Sequence, residues 1–354
     1  MAEGGVHKYG AEALKPHKTI ATFPVGTFLE NIAVRSNGTL LLSSMLSGEI
    51  FYLDPQAADP QSTITKIWDF NSSRDATKPR NENSESPYGS HAHAEAIVEH
   101  PTIPDVFYTL SGVNSQAGTW AIYSLDLRKF TPSSPVQTIT VAKIADVPSA
   151  TWLNGATIIP LPSPQLIIAE SFQGKLISCD LATGTILTWL PHELLGKITT
   201  RPPWPAVNGV QYFRGSIFAT VSDRSIVLRA DVDLKTGKYI EGSLETVATD
   251  FNGDDLAFDE DGNAYIATNP SQTVEKLSEL GIKGLTNGHR EVVVGGKDLE
   301  ETAGPTAVAF GRTEIDRKSI YVTTTGGLIV AVGEGPGLAR VVRVDVGIQG
   351  EHTE

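Results

Sequence analysis

Short apolar runs that open on a polar residue recur down the chain. They are Leu29-Glu30-Asn31-Ile32-Ala33-Val34, Leu153-Asn154-Gly155-Ala156-Thr157-Ile158, Val207-Asn208-Gly209-Val210, Asp254-Asp255-Leu256-Ala257-Phe258 and Thr306-Ala307-Val308-Ala309-Phe310, with a weaker copy at Ala94-Glu95-Ala96-Ile97-Val98 that opens on Ala94. Their spacing of about 45–65 residues is that of a propeller, solenoid or array. A turn and a second apolar segment follow each run: Leu40 to Ser44, Val106 to Leu110, Leu166 to Ala169, Ile217 to Val221, Ala264 to Thr268 and Ile320 to Thr324. Asn37-Gly38 and Asp261-Gly262 between such segments are hairpin signals, because these residues accept positive φ. Third strands are expected at Glu49 to Leu53, Ala121 to Leu125, Lys175 to Cys179 and Ile226 to Ala230. More polar fourth strands are expected at Ile64 to Trp68, Thr138 to Ile144, Thr185 to Leu190, Leu244 to Ala248 and Glu291 to Val294. Four antiparallel strands repeated six times predict an all-β, six-bladed β-propeller over residues 1–354 as one domain. Lys18 to Phe23 reads as a fourth strand without its first three, and the last repeat, ending near Arg340 to Val346, lacks a fourth. The N-terminal strand is therefore expected to close the last blade and remove two open edges.

Composition narrows the partners. The formal charge of −13 argues against nonspecific nucleic-acid binding, which needs Lys and Arg against phosphates. Cys179 is the only cysteine, so no intramolecular disulfide forms, and its apolar strand context predicts an inert buried thiol. No apolar run is long enough to span a membrane, and the polar Met1 to Gly5 is not a signal peptide. The expectation is a soluble protein, cytoplasmic or secreted after loss of a leader, whose oligomeric state the sequence does not indicate.

On a ring, the heads of the repeated runs face one another across the axis. Glu30, Asn154, Asn208 and Asp254 then offer two carboxylates and two amide carbonyls, the oxygen set preferred by Ca²⁺ or another hard divalent cation, with Asp255 as a supplementary ligand. The alternative is a wet polar axis in which these side chains bond neighbouring strand ends. Zn²⁺ is disfavoured because no His or Cys holds a head position. His91 and His93 precede the second run, where His93 could act as a base or hydrogen-bond donor. Trp152, Trp204, Tyr88 and Phe251 could wall a cup for a hydrophobic small molecule, or the two tryptophans could pack between blades. Arg201 could steady an anionic oxygen. The polar stretch Asn71 to Ser90 reads as a binding loop or a surface excursion, and Pro191 to Pro205 as a helical turn followed by a stiff Pro-rich approach to Asn208. Phosphate-loop, Rossmann and Gly-x-Ser-x-Gly signatures are missing, and no organic cofactor is implied.

These phrases resemble the gluconolactonase/regucalcin family (the senescence marker protein family), with paraoxonases as distant relatives. The fungal branch is matched most closely, through Leu29 to Gly38, Trp152-Leu153-Asn154-Gly155, Val207-Asn208-Gly209 and Gly304 to Arg312. The resemblance implies a divalent cation, usually calcium, at the axial mouth, with Glu30, Asn154, Asn208 and Asp254 in the ligand positions. It places His93 where paraoxonases carry a His that assists lactone hydrolysis. The partner His of that pair is missing from Leu110-Ser111-Gly112-Val113-Asn114. Similar fungal proteins include hetero-Diels–Alderases of secondary metabolism, which join a tropolone-derived o-quinone methide to a humulene-type sesquiterpene. On that reading the expected catalytic residues are His93, Trp152, Asn154 and Asn208. Substrate contacts are expected at Tyr88, His91, Trp204, Phe251 and Thr306, around the gaps that Ala94 and Thr306 leave in the ring of charged heads. Three readings stay open: pericyclase, Ca²⁺-dependent lactonase or esterase, and non-catalytic small-molecule-binding propeller.

Overall fold

The computed structural model describes residues 14–72, 89–132, 138–199, 204–250 and 252–351. Tyr88, Arg201, Phe251 and most of the 71–90 stretch lie outside the described residues. The strands form six antiparallel sheets, the six blades of a propeller. Blade 1 runs Leu29–Val34, Leu40–Ser44, Glu49–Leu53 and Thr65–Asp69. The inner strands of blades 2 to 6 are Ala92–Glu99, Leu153–Ile159, Val207–Phe213, Leu256–Phe258 and Pro305–Phe310. Blade 5 contains a third strand, Thr273–Leu277, that the apolar pattern did not single out, because its centre reads Val274-Glu275-Lys276. Blade 4 carries a small additional strand, Lys238–Tyr239, paired to Val232 and Asp233.

Blade 6 takes its outer strand from the other end of the chain. His17–Val25 pairs antiparallel with Leu338–Asp345, Thr19 opposite Val342 and Phe23 opposite Ala339. Both faces of the central strands are covered by neighbouring blades, which is why they read as unbroken apolar runs rather than alternating ones. Leu110 and Ile122 of blade 2 share a core with Leu166, Ile168 and Ile177 of blade 3. Ile159, Ile167 and Leu176 of blade 3 pack in turn with Val210, Ile217 and Leu228 of blade 4. Cys179 is buried in the first of these cores, and burial pushes its thiol up to about 11, so it is not poised as a nucleophile. Among the described residues no helix is long and apolar enough to cross a membrane.

The polar heads arise from a repeated irregularity. In blade 1, Leu29 pairs with Ser44 and Ile32 with Leu42, so Glu30 and Asn31 together oppose Ser43. The same two-against-one register places Glu95 and Ala96, Asn154 and Gly155, and Asn208 and Gly209 in blades 2, 3 and 4. Such a bulge re-aims a side chain without ending the strand. It also corrects the sequence reading of blade 2. Ala94 pairs with Ser111 and is the register equivalent of Leu29, so the head of that blade is Glu95.

Two glycines beside the heads are there for close approach. A Cβ on Gly155 would lie 2.4 Å from the Asn208 carbonyl oxygen, and one on Gly209 would lie 2.5 Å from that of Asp254. The inner strands therefore close on one another at the axis. Hydrogen bonds continue the ring: Asp255 N–H donates to the Thr306 carbonyl at 3.0 Å, and the Thr306 hydroxyl to the Leu29 carbonyl at 2.7 Å.

Candidate functional site at the axial mouth

At the end of the axis where the heads open, Glu30, Asn154, Asn208 and Asp254 line one small cavity of about 30 Å³. Ser222 and Asn269, from the segments that follow second strands, complete its polar floor. Phe28, Met45, Trp152, Trp204, Pro205 and Ile329 surround it. The floor is ion-sized, and the wall is carbon.

The floor is short of donors. Asn208 gives its amide N–H to Asp254 Oδ1 at 2.8 Å and to Ser222 Oγ at 3.1 Å, while its own Oδ1 is buried with no partner. Asn269 Oδ1 is likewise buried without a donor. Burial and then the neighbouring Glu30 and Asp255 raise the Asp254 carboxyl well above the usual range, and the Asn208 and Asn269 amides offset only part of this. Glu30 is raised by burial, then by Glu95 and Asp255. Burial raises Asp255 to about 7, with the Asn31 side-chain amide, which donates to its carboxylate, pulling the other way. Each shift has the same origin: carboxylates out of water with no cationic side chain among its causes.

Orphaned amide oxygens and carboxylates lacking a countercharge fit a hard cation, and the set holds no sulfur or imidazole. Among the described residues, no group of three His, Cys, Asp or Glu side chains is arranged to hold a metal, so any such site must draw on Asn154, Asn208 or Asn269.

The other candidates lie as follows. Trp152 is buried on the wall, with its indole edge-to-face to Phe172 at 5.1 Å. Trp204, also in the lining, is half-buried, and its carbonyl accepts from Lys197 Nζ at 2.8 Å. His93 is fully buried in the blade 2 strand and does not line the cavity. Its Nδ1 lies 2.8 Å from Glu95 Oε1, and its ring is edge-on to Trp120. His91 is exposed ahead of that strand. The Thr306 hydroxyl is engaged in joining blade 6 to blade 1 and lies outside the cavity lining. Sequence reasoning missed Glu95, Ser222 and Asn269. The first was hidden by the one-residue register error, and the other two by lying off the repeated inner strands.

A larger cavity of about 570 Å³ opens at the other end of the axis. Its lining includes Asn31 and Asp255, Ala, Val and Ile side chains, the aromatic Tyr212, Phe213, Phe258 and Phe310, and the ion pairs Arg312–Glu99 and Arg214–Glu351. Those charges are paired and, among the described residues, no orphaned polar group lines it, so the smaller mouth cavity is the better candidate site.

No family profile matches the sequence. The chain is 24% identical over 328 residues, 87% of its length and 86% of the other's, to a protein of Phoma sp. named "Putative hetero-Diels-Alderase". Among solved structures, a luciferin-regenerating enzyme superposes with a TM-score of 0.64 at 15% identity, covering 95% of this chain and 97% of that one. A calcium-binding regucalcin from Agrobacterium tumefaciens superposes with 0.56 at 13% identity, covering 94% and 97%. At these identities the structural likeness speaks for the fold.

Proposed function

We propose that this protein is a secondary-metabolite pericyclase that joins two hydrophobic small molecules by a hetero-Diels–Alder reaction, an o-quinone methide adding across an alkene of a humulene-type sesquiterpene. The observation that carries the reading is the mouth: an ion-sized floor of hard oxygens under a wall of Phe28, Met45, Trp152, Trp204 and Ile329. The relative from Phoma sp., matched along most of both chains, supports the same reaction class.

A [4+2] addition forms one C–C and one C–O bond, and no proton or leaving group departs. The enzyme's work is to hold two partners in one orientation and to stabilise charge that grows on the carbonyl oxygen. The cavity among the described residues is too small for either partner whole. The carbonyl oxygen enters it, and the ring systems rest on the aromatic wall above. Glu30, Asn154, Asn208 and Asp254 would hold a hard divalent cation such as Ca²⁺, which when bound supplies positive charge at the floor. Trp152 and Trp204 present flat apolar surface that excludes water and favours stacked, face-selective binding.

Lactone hydrolysis is the second reading, supported by the oxygen floor and by the likeness to a calcium-binding regucalcin. It needs a base in the cavity. His93 faces Glu95 instead, which among the described residues leaves only Glu30 and Asp254 as titratable groups in the lining. Purified protein with a quinone-methide precursor and humulene should raise adduct yield and bias its stereochemistry over the spontaneous reaction. An unchanged product mixture, together with EDTA-sensitive turnover of a lactone panel, would replace the first reading with the second.

A further inference from the structure

We propose that Glu95 is a positioning residue that fixes the plane of the Trp152 indole, and through it the face of a flat substrate that reacts. The selectivity half of this rests on the pericyclase reading; the positioning half does not.

Trp152 is held at two levels by two carboxylates. Its backbone is tied to blade 3, where its N–H donates to Glu170 Oε1 at 3.0 Å and its carbonyl accepts from Ser171 N–H at 2.9 Å. This sets the Cα but leaves the side-chain torsions open. The ring is set from a different blade: the indole N–H donates to Glu95 Oε1 at 3.1 Å. The same oxygen meets His93 Nδ1 at 2.8 Å, so His93 braces the carboxylate from behind. Trp152, Glu95 and His93 are 3%, 0% and 0% exposed, so water does not compete for these bonds.

The arrangement behind the carboxylate is tightly built. His93 pairs with Gly112 across the sheet, and a Cβ on Gly112 would lie 2.3 Å from the Trp120 ring, the ring that His93 meets edge-on at 6.2 Å. On the solvent side the indole touches Phe172, which is 37% exposed and offers no polar anchor. Glu95 is thus a polar anchor that favours one indole rotamer over others of similar intrinsic energy. Its bulge position is that of the cavity-lining heads, yet it is not part of the lining and reaches the cavity through its neighbours Trp152 and Glu30. With its N–H satisfied behind the wall, the indole has carbon surface to offer the substrate.

The test compares wild type with Glu95→Gln, which keeps an acceptor oxygen, and Glu95→Leu, which does not. Trp152→Phe identifies the Trp152 contributions to the near-UV circular dichroism and to the indole N–H region of ¹H–¹⁵N spectra. The Trp152 dichroic band should be largely lost in Glu95→Leu and mostly restored in Glu95→Gln. Loss of a buried hydrogen bond shifts a rotamer equilibrium by up to roughly tenfold, and the ratio of adduct stereoisomers should fall by about the same factor in Glu95→Leu. A Trp152 band unchanged in Glu95→Leu overturns the positioning role. A lost band with an unaltered isomer ratio overturns the link to selectivity. If Glu95→Leu does not fold, wild type decides alone: slow hydrogen exchange of the Trp152 indole N–H is expected, and exchange at the rate of an exposed indole overturns the proposal. A wild type that forms no adduct defeats the pericyclase reading but leaves the spectroscopic outcomes in force.

Discussion

A carboxylate buried without a cation keeps a proton or binds a metal, and Glu30, Glu95, Asp254 and Asp255 are all in that position. Asp255 shows the consequence for stability. Its carboxyl sits near 7 in the fold against an ordinary value of 3.8. Between those limits the folded chain holds a proton that the unfolded chain has released. The stability contributed by neutral Asp255 is therefore fully present below about pH 4 and is lost as pH rises through about 7, at roughly 1 kcal/mol per pH unit. In chelator-treated protein, melting temperature should fall steadily from pH 5 to 7.5, and Asp255→Asn, which can still pair with Asn31, should reduce the slope. A flat profile would show that the group is charged and solvated. Added Ca²⁺ should act most strongly at the upper end of this range, where more of the floor is ionised. At 100 times its dissociation constant a ligand contributes about 2.7 kcal/mol. The shift in melting temperature should disappear in Asp254→Ala; a full shift in that variant would remove Asp254 from the ligand set.

Among the elements, the inner strands carry the strictest demands, because their bulges and small residues bring neighbouring strands close together at one axis. Gly209→Ala would drive a methyl into the Asp254 carbonyl and should cost about 2–4 kcal/mol, read as a lower midpoint in urea. Gly196→Ala is the matched control. Its Cβ would meet nothing nearer than 3.4 Å and its φ is −86°, so a change under about 1 kcal/mol is expected. Equal effects would mean that the close approach at the axis is relieved by backbone movement.

The same strands explain what could be read from the sequence. Double-sided burial makes strand runs such as Leu40-Leu41-Leu42 conspicuous, and polar heads stand out against them. Blade 2 failed because Ala94-Glu95-Ala96 has small residues on both sides of the head, so nothing in the pattern distinguishes a bulge at Glu95 from one a residue earlier. The Glu95–Trp152 bond joins residues 57 positions apart and follows from the packing of blade 2 against blade 3, which no local pattern encodes. Asn154-Gly155 and Asn208-Gly209 resemble turn dipeptides, yet their glycines serve strand packing at the axis.

For the whole molecule, stability depends on closing the circle, because an open propeller leaves two blade faces and two strand edges in water. The closing contact is the pairing of His17–Val25 with Leu338–Asp345, and it buries Ile20, Ala21 and Phe23 against Leu29, Leu40 and Val341. This joint is noncovalent and draws on both ends of the chain. It therefore stabilises the folded ring without limiting the freedom of the unfolded chain, and its strength must come from the backbone ladder and those apolar side chains. Removing residues 1–25 should leave Leu338–Asp345 as an exposed, largely apolar edge strand, the arrangement that recruits other chains. The truncated protein should run as oligomers in size-exclusion chromatography, bind a hydrophobic dye and melt well below the full chain. A peptide of His17 to Val25 supplied in trans should restore the elution volume of the full chain by occupying the vacant edge. A truncation that elutes like the full chain with unchanged melting temperature would show that blade-to-blade packing alone holds the ring. In that case the N-terminal strand would be a cover for the edge rather than its fastening.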